Sequence, residues 1–241
     1  VVAIFYGGKI IFGIFFVAIF FAIGRILIVA FLAFIQKQKS KDEPVSTLTP
    51  KVSIIVPAYN ENVNAVKTVN NLLQSDYPDF EIIFVNDGSK DNTYEIVNNA
   101  FRDHEKVFVF DKPNGGKASA LNLGIERAHG EFVVCIDADT MLKPDAVSHL
   151  MKSFTDETIG AVAGNVKVGN VVNMLTEWQS IEYITAQNFD RRAFDLLNCI
   201  TVVPGAIGAF RKSAIKKAGG YTSDTLAEDC DLTVRILRNG Y

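Results

Sequence analysis

The chain has 241 residues, 24 basic and 27 acidic, a net charge of −3, and is 49% hydrophobic. That composition excludes disordered, collagen-like and disulfide-scaffold classes, and the small negative charge gives no electrostatic case for nucleic acid as a partner. The apolar residues are unevenly spread: residues 1–35 hold only two charges, Lys9 and Arg25, whereas the rest reads as an ordinary soluble domain large enough for its own core.

The first element is predicted to be one membrane-spanning helix over 1–36. Ile10 to Ile35 is 26 residues long with Arg25 as its single charge, above the roughly 20 needed to cross the hydrocarbon core. A signal peptide fits less well, because the stretch is too long and no small-residue cleavage pattern comes after it. Arg25 is expected near an interface, snorkelling, or facing a neighbouring helix. Lys37, Lys39 and Lys41 then flank the helix, so the positive-inside rule puts the soluble domain in the cytoplasm, at the cell membrane. Residues 37–50 read as a linker and 51–241 as a C-terminally truncated soluble domain. The cysteines (Cys135, Cys199, Cys230) and histidines (His104, His129, His149) are scattered and make no zinc spacing.

Along the soluble part, apolar runs alternate with helical patterns. Val52–Val56, Glu81–Val85, Val107–Phe110 and Phe132–Ile136 are nearly continuous in Val, Ile and Phe, as strands buried on both faces of a parallel sheet should be. Helices are predicted at 61–75, 91–103, 117–128 and 144–154. The alternation predicts a doubly wound α/β sheet, mainly parallel, with flanking helices. Beyond residue 159 the expected pattern is a strand over 159–168, a long helical region over 171–198, a glycine-broken strand over 201–210, and helices at 213–218 and 226–238.

Ligands of such a sheet bind beyond the carboxyl ends of the strands. Those ends read Pro57-Ala58-Tyr59-Asn60-Glu61, Asn86-Asp87-Gly88-Ser89, Asp111 to Lys117, and Asp137-Ala138-Asp139. A dinucleotide fingerprint is excluded, because residues 57–62 contain no glycine. A phosphate-cradling P-loop is excluded too, because Asp111 stands where its first glycine belongs and Ala118 where its Ser or Thr belongs. Asp137 and Asp139 offer hard oxygen ligands suited to Mg²⁺ or Mn²⁺; a solvated loop end is the plainer reading of that pair alone. Glu228-Asp229 opens a helix, where acids are favoured by the helix dipole, and a carboxylate there is also suited to act as a general base.

Taken together, Val52 to Glu61, Val85 to Thr93, Asn114 to Ala118, Asp137-Ala138-Asp139 and Ala227-Glu228-Asp229 resemble the family-2 glycosyltransferases of the nucleotide-sugar-binding (GT-A) type. The nearest likeness is to their membrane-bound processive branch, the poly-β-1,6-N-acetylglucosamine, hyaluronan, chitin and cellulose synthases. Asn114 to Asn122 and Pro204 to Arg211 look most like the first of these.

The resemblance implies a UDP-sugar donor, with N-acetylglucosamine as the sugar, and a glycan acceptor. In it Asp87 bonds the uracil or ribose, and Pro57, Ala58, Tyr59 and Glu61 flank the base. Lys117 contacts the phosphates. Asp137 and Ala138 lie against the nucleotide, and Asp139, with Asp137, holds Mg²⁺ or Mn²⁺. Asp229, with Glu228 beside it, takes the proton of the acceptor hydroxyl in one inverting displacement. Membrane lipid and an accessory membrane subunit are the other partners implied. Ala227 replaces the usual Thr or Ser of the family pattern, and the Q-x-x-R-W motif of processive members is expected beyond Tyr241. A non-processive transferase adding a single sugar to a lipid or glycan is the alternative reading.

Overall fold

The computed structural model describes residues 2–42, 46, 49–169, 171–225 and 227–241. The chain divides into two compact units, Val1–Glu43 with Lys167–Ile200, and Pro44–Val166 with Thr201–Tyr241.

Helix α1 (Val2–Asp42) opens the first unit. Within it, Ile11–Ser40 is long and apolar enough to cross a membrane by length and composition. The helix runs past residue 36 into the stretch expected as linker; Lys37 to Lys41 continue it because Lys, Gln and Ser carry no helix-breaking backbone. Glu43, Pro44, Val45, Thr47 and Leu48 of the expected linker lie outside the described residues.

The second unit is built on a six-stranded sheet. Its elements are β1 (Val52–Ala58), α2 (Ala65–Leu72), β2 (Phe80–Asp87), α3 (Thr93–Phe101), β3 (Val107–Lys112), α4 (Lys117–Arg127), β4 (Phe132–Ile136), α5 (Ala146–Lys152) and β5 (Ala161–Ala163). The chain then leaves the sheet for α6 (Met174–Thr185) and α7 (Arg191–Leu196), and returns as β6 (Ile207–Arg211), α8 (Lys212–Ala218) and α9 (Glu228–Arg238). The spatial order is β3-β2-β1-β4-β6-β5. β1 to β4 are mutually parallel, and β6 is antiparallel to both β4 and β5.

Every residue of β1, β2 and β4 is buried, so successive side chains feed opposite faces of the sheet. Ile54, Val56, Ile82 and Val134 pack under α2, α3 and α5, through Val69, Phe101 and Leu150 among others. Ile55, Ile83, Val133 and Cys135 pack under α4, α8 and α9, through Leu121, Ile215 and Leu232. Each such side chain contributes about 1.5–3 kcal/mol by leaving water. Gly124 lets α4 lie close on β1, since a Cβ there would stand 2.4 Å from the Ile55 side chain.

Beyond residue 159 the structure differs from the expected elements. Only Ala161–Ala163 of the 159–168 stretch is strand. In the 201–210 stretch, Pro204, which cannot donate to a ladder, keeps the first residues out of the sheet, and the strand starts at Ile207. The last helix begins at Glu228, and Leu226 lies outside the described residues.

The amino edge of the sheet carries a buried acid, Glu81 at the start of β2. Burial pushes its carboxyl pKa up, but hydrogen bonds from Ser53, the His129 backbone and ring, and Lys51 outweigh that and hold it below the ordinary value. Its partners are satisfied within the fold, so this edge is structural.

Within the first unit, α1 packs on α7. Gln36 Nε2 donates to Asp195 Oδ2 at 2.6 Å, and Arg192 donates to Gln36 Oε1 at 3.1 Å. Arg25 lies 3.8 Å from Asp190, in a neighbouring helical segment. α6 starts with a capping box in which Asn173 and Thr176 bond each other's backbone. Its Met174, Leu175, Trp178 and Ile181 are exposed.

Candidate active site

The carboxyl ends of β1, β2 and β4 surround a cavity of about 300 Å³. It is lined by Pro57, Ala58, Tyr59, Glu61, Asp87, Lys117, Ala120, Asp137, Ala138 and Asp139. All eight residues expected to meet the nucleotide are therefore brought together, with Asp139 beside them; Ala120, one helical turn after Lys117, carries no signal of its own in the sequence.

The lip at Tyr59 to Asn62 is tied to the loop after β2. Asn60, with φ of 56°, donates its N–H to Ser89 Oγ at 2.9 Å and accepts from Lys90 N–H at 2.8 Å. Asparagine tolerates that left-handed conformation better than most residues. Glu61 N–H donates to Thr93 Oγ1 at 2.9 Å.

Asp87 ends β2 almost fully buried, and its carboxylate accepts three hydrogen bonds. Oδ1 accepts from Lys112 Nζ at 2.5 Å and from Gly115 N–H at 3.0 Å, and Oδ2 accepts from Gly116 N–H at 2.8 Å. Its backbone carbonyl accepts from Asn114 Nδ2 at 2.8 Å. One side chain thus shapes the whole Pro113–Gly116 loop. Gly116, with φ of 84°, is in a conformation open to glycine, and α4 starts on the next residue, Lys117. Asp87 therefore fixes where Lys117 begins.

Lys117 Nζ lies 2.5 Å from Asp137 Oδ1 and 3.9 Å from Glu228 Oε1. It stands between the strand-end acids and the start of α9. The Asp137–Asp139 turn is pinned by the buried Thr68 hydroxyl, which donates to Ala138 O at 2.6 Å. No hydrogen bond or ion pair reaches the exposed Asp139 carboxylate among the described residues. No group of three His, Cys, Asp or Glu able to hold a metal occurs among them either. Asp137 and Asp139 stand one residue apart at the edge of the cavity. That donor set suits Mg²⁺ or Mn²⁺, which take one or two carboxylates and complete their shell with water and substrate phosphate.

Asp229 and Glu228 stand beyond Lys117, outside the cavity lining, in the first turn of α9 with Asp231. Asp229 Oδ2 accepts from Gly205 N–H at 3.2 Å, and Oδ1 from Cys230 N–H at 2.8 Å. Gly205 arrives there because β6 is antiparallel to β4. Ile207 pairs with Ile136, so the start of β6 lies at the same edge as the end of β4. Sequence reasoning marks Pro204 to Arg211 by resemblance only and gives Gly205 no role. Behind the site, burial pushes the Cys135 thiol up to about 12; it is a packing residue, not a nucleophile.

The sequence profile of Glycosyl transferase family 2 matches residues 53–219. The chain belongs to this family. Among curated family-2 relatives, the poly-beta-1,6-N-acetyl-D-glucosamine synthase of Staphylococcus epidermidis is 36% identical over 186 residues, 77% of this chain and 45% of its own length. That of Staphylococcus aureus is 34% identical over 191 residues, 79% of this chain and 46% of its own. The chain thus spans less than half the length of these relatives. Among solved structures, a mannosyltransferase from Pyrobaculum calidifontis in complex with GDP-Man and Mn²⁺ superposes with a TM-score of 0.69 at 25% identity, covering 93% of this chain and 64% of that one. Staphylococcus aureus TarS, at 23% identity and a TM-score of 0.58, shares the fold, over 77% of this chain and 55% of its own. The family-2 sheet and its flanking helices are therefore of the GT-A type that the sequence motifs implied.

Proposed function

We propose that this chain is the catalytic part of a membrane-bound, inverting, metal-dependent glycosyltransferase. It moves a sugar, N-acetylglucosamine, from its UDP donor to a growing β-linked polysaccharide at the cytoplasmic face of the membrane. Residues 1–36 anchor it, 37–50, helical as far as Asp42, link, and 51–241 carry the chemistry. The single observation that carries the reading is the convergence of Asp87, Lys117, Asp137 and Asp139 on one cavity, with Lys117 also 3.9 Å from Glu228, the neighbour of Asp229. The sugar and the polymer are taken from the names of the staphylococcal relatives, the UDP donor from the motif resemblance, and the metal from the Mn²⁺ of the mannosyltransferase. Membrane lipid and an accessory membrane subunit are the other partners proposed.

In this reading Tyr59 and Glu61 flank the base, Asp87 bonds the uracil or ribose while shaping the loop beside it, and Lys117 leaves Asp137 to meet the diphosphate. Asp137 and Asp139 would hold Mg²⁺ or Mn²⁺, which when bound offsets charge on the leaving diphosphate. The Asp229 carboxylate accepts the proton of the acceptor hydroxyl as its oxygen attacks the anomeric carbon. The bond from that carbon to the diphosphate breaks on the opposite face, so an α-linked donor gives a β-linkage and UDP leaves.

The test uses membranes carrying the complete protein, Mg²⁺ or Mn²⁺, and a panel of labelled UDP-sugars, with the product sized. A long polymer from UDP-N-acetylglucosamine is expected. A single sugar in the lipid fraction would overturn the polymer reading in favour of a non-processive transferase. In the same material, Asp139→Ala should weaken the Mg²⁺ or Mn²⁺ dependence of UDP binding by about tenfold or more, since even outer-shell changes at metal sites cost that much. Titration of metal against bound UDP reads it, and an unchanged metal affinity would move the ion elsewhere.

A further inference from the structure

One turn along α9 from Asp229 stands Thr233. Thr233 is 3% exposed. Its Oγ1 donates to the Asp229 carbonyl at 2.7 Å and accepts from Val203 N–H at 2.9 Å. The first bond is the common one of a helical threonine to the residue four back. The second is not local: it spans 30 residues and fastens the strand-free segment before β6 onto α9. Two residues on, Gly205 N–H donates to Asp229 Oδ2. The helix thus holds the segment through Thr233, and the segment holds the carboxylate through Gly205. The clearance is small, for a Cβ on Gly205 would lie 3.0 Å from Lys117 Nζ and 3.9 Å from Asp229 Oδ2.

We propose that Thr233 is a positioning residue for Asp229, acting through the Val203–Gly205 segment, and this rests on the reading of Asp229 as the base. A carboxylate that must meet an acceptor hydroxyl and a reacting carbon together loses rate steeply with small displacement. Removing Oγ1 leaves the buried Val203 N–H without a partner, and the segment relaxes to find one. The Gly205 N–H then leaves Oδ2, and the carboxylate gains rotamers that do not face the acceptor. The nucleotide cavity is lined by residues 57–139 and keeps its shape.

The test compares Thr233→Val, Thr233→Ala and Thr233→Ser in the complete protein in membranes. Sugar transfer from UDP-N-acetylglucosamine is measured per UDP-binding site, with Asp229→Asn run in parallel. Val and Ala are expected to lower kcat by about 10²-fold, the scale of a displacement near 1 Å, with UDP affinity and donor KM unchanged. Ser, which keeps the hydroxyl, is expected to recover most of the rate. Full kcat per site in Val or Ala would overturn the proposal, as would a serine variant no better than valine. Loss of UDP binding in both Val and Ala would overturn it too, by assigning Thr233 to the fold alone. If Asp229→Asn still transfers sugar, the reading of the base has failed; if it is inactive while Val and Ala are not, only the positioning has.

Discussion

Asp229→Asn is expected to lower sugar transfer by about 10²–10⁴-fold, the contribution of a positioned general base, while UDP binding stays near its original value. Asparagine preserves the shape of the side chain, and its carbonyl oxygen can still accept from Gly205 N–H, the bond that orients the carboxylate in the parent. What it loses is basicity, so an acceptor hydroxyl can still dock but has no group to take its proton. The acids of the first turn complement the amino end of α9, and their removal one at a time costs the helix only about 0.3–1 kcal/mol. The deficit is therefore expected in chemistry and not in folding. Single-turnover transfer and UDP titration, measured on one preparation, separate the two. A parallel loss of both would show that Asp229 serves the nucleotide and not the acceptor.

Asp87→Asn is expected to act in the opposite sense, removing UDP binding and lowering stability together. The parent carboxylate takes three donors, Lys112 Nζ and the N–H groups of Gly115 and Gly116, on two oxygens. An amide has one acceptor, so its NH₂ must face a donor whichever way it turns. Lys112 is left largely buried beside a neutral group, and breaking such a pair costs about 3–5 kcal/mol. The Pro113–Gly116 loop loses its template, and Lys117 its starting point. UDP affinity is expected to fall by about 10²-fold or more, the equivalent of some 3 kcal/mol, together with a lower Tm. Ordinary affinity with an unchanged Tm would show that the loop holds its shape without the carboxylate.

Much of the cavity at the carboxyl edge of the sheet was legible in the sequence, and for a physical reason. β1, β2 and β4 are β-branched and aromatic runs buried on both faces, so composition alone marks them, and polar residues at the ends of such runs fall at one edge of a parallel sheet. What stayed hidden is what depends on pairs far apart in the chain. The antiparallel β6 is rich in glycine and alanine, and its register with β4 is set by contacts some 75 residues distant. Asp87 and Asn114 to Gly116 both stand out in the sequence, yet nothing local shows that one organises the other across 28 residues. The helical region after residue 171 is visible as helix, but not that it forms a compact unit with α1, because Gln36 meets Asp195 from 159 residues away. Thr233 carries no signal, since a threonine inside a helix ordinarily bonds its own turn.

The way β5 and β6 meet has a consequence for the segment between them. They are antiparallel neighbours, with Ala163 opposite Gly208 and Gly164 N–H bonded to Ile207 O at 3.0 Å. Residues 167–200 therefore depart from and rejoin the sheet at a single point, as a long hairpin excursion would. The entropic cost of such a closure rises by only about 0.6 kcal/mol for each doubling of length. The strand register on either side is fixed by β4, β5 and β6 themselves, and the residues lining the cavity all precede the excursion in the chain.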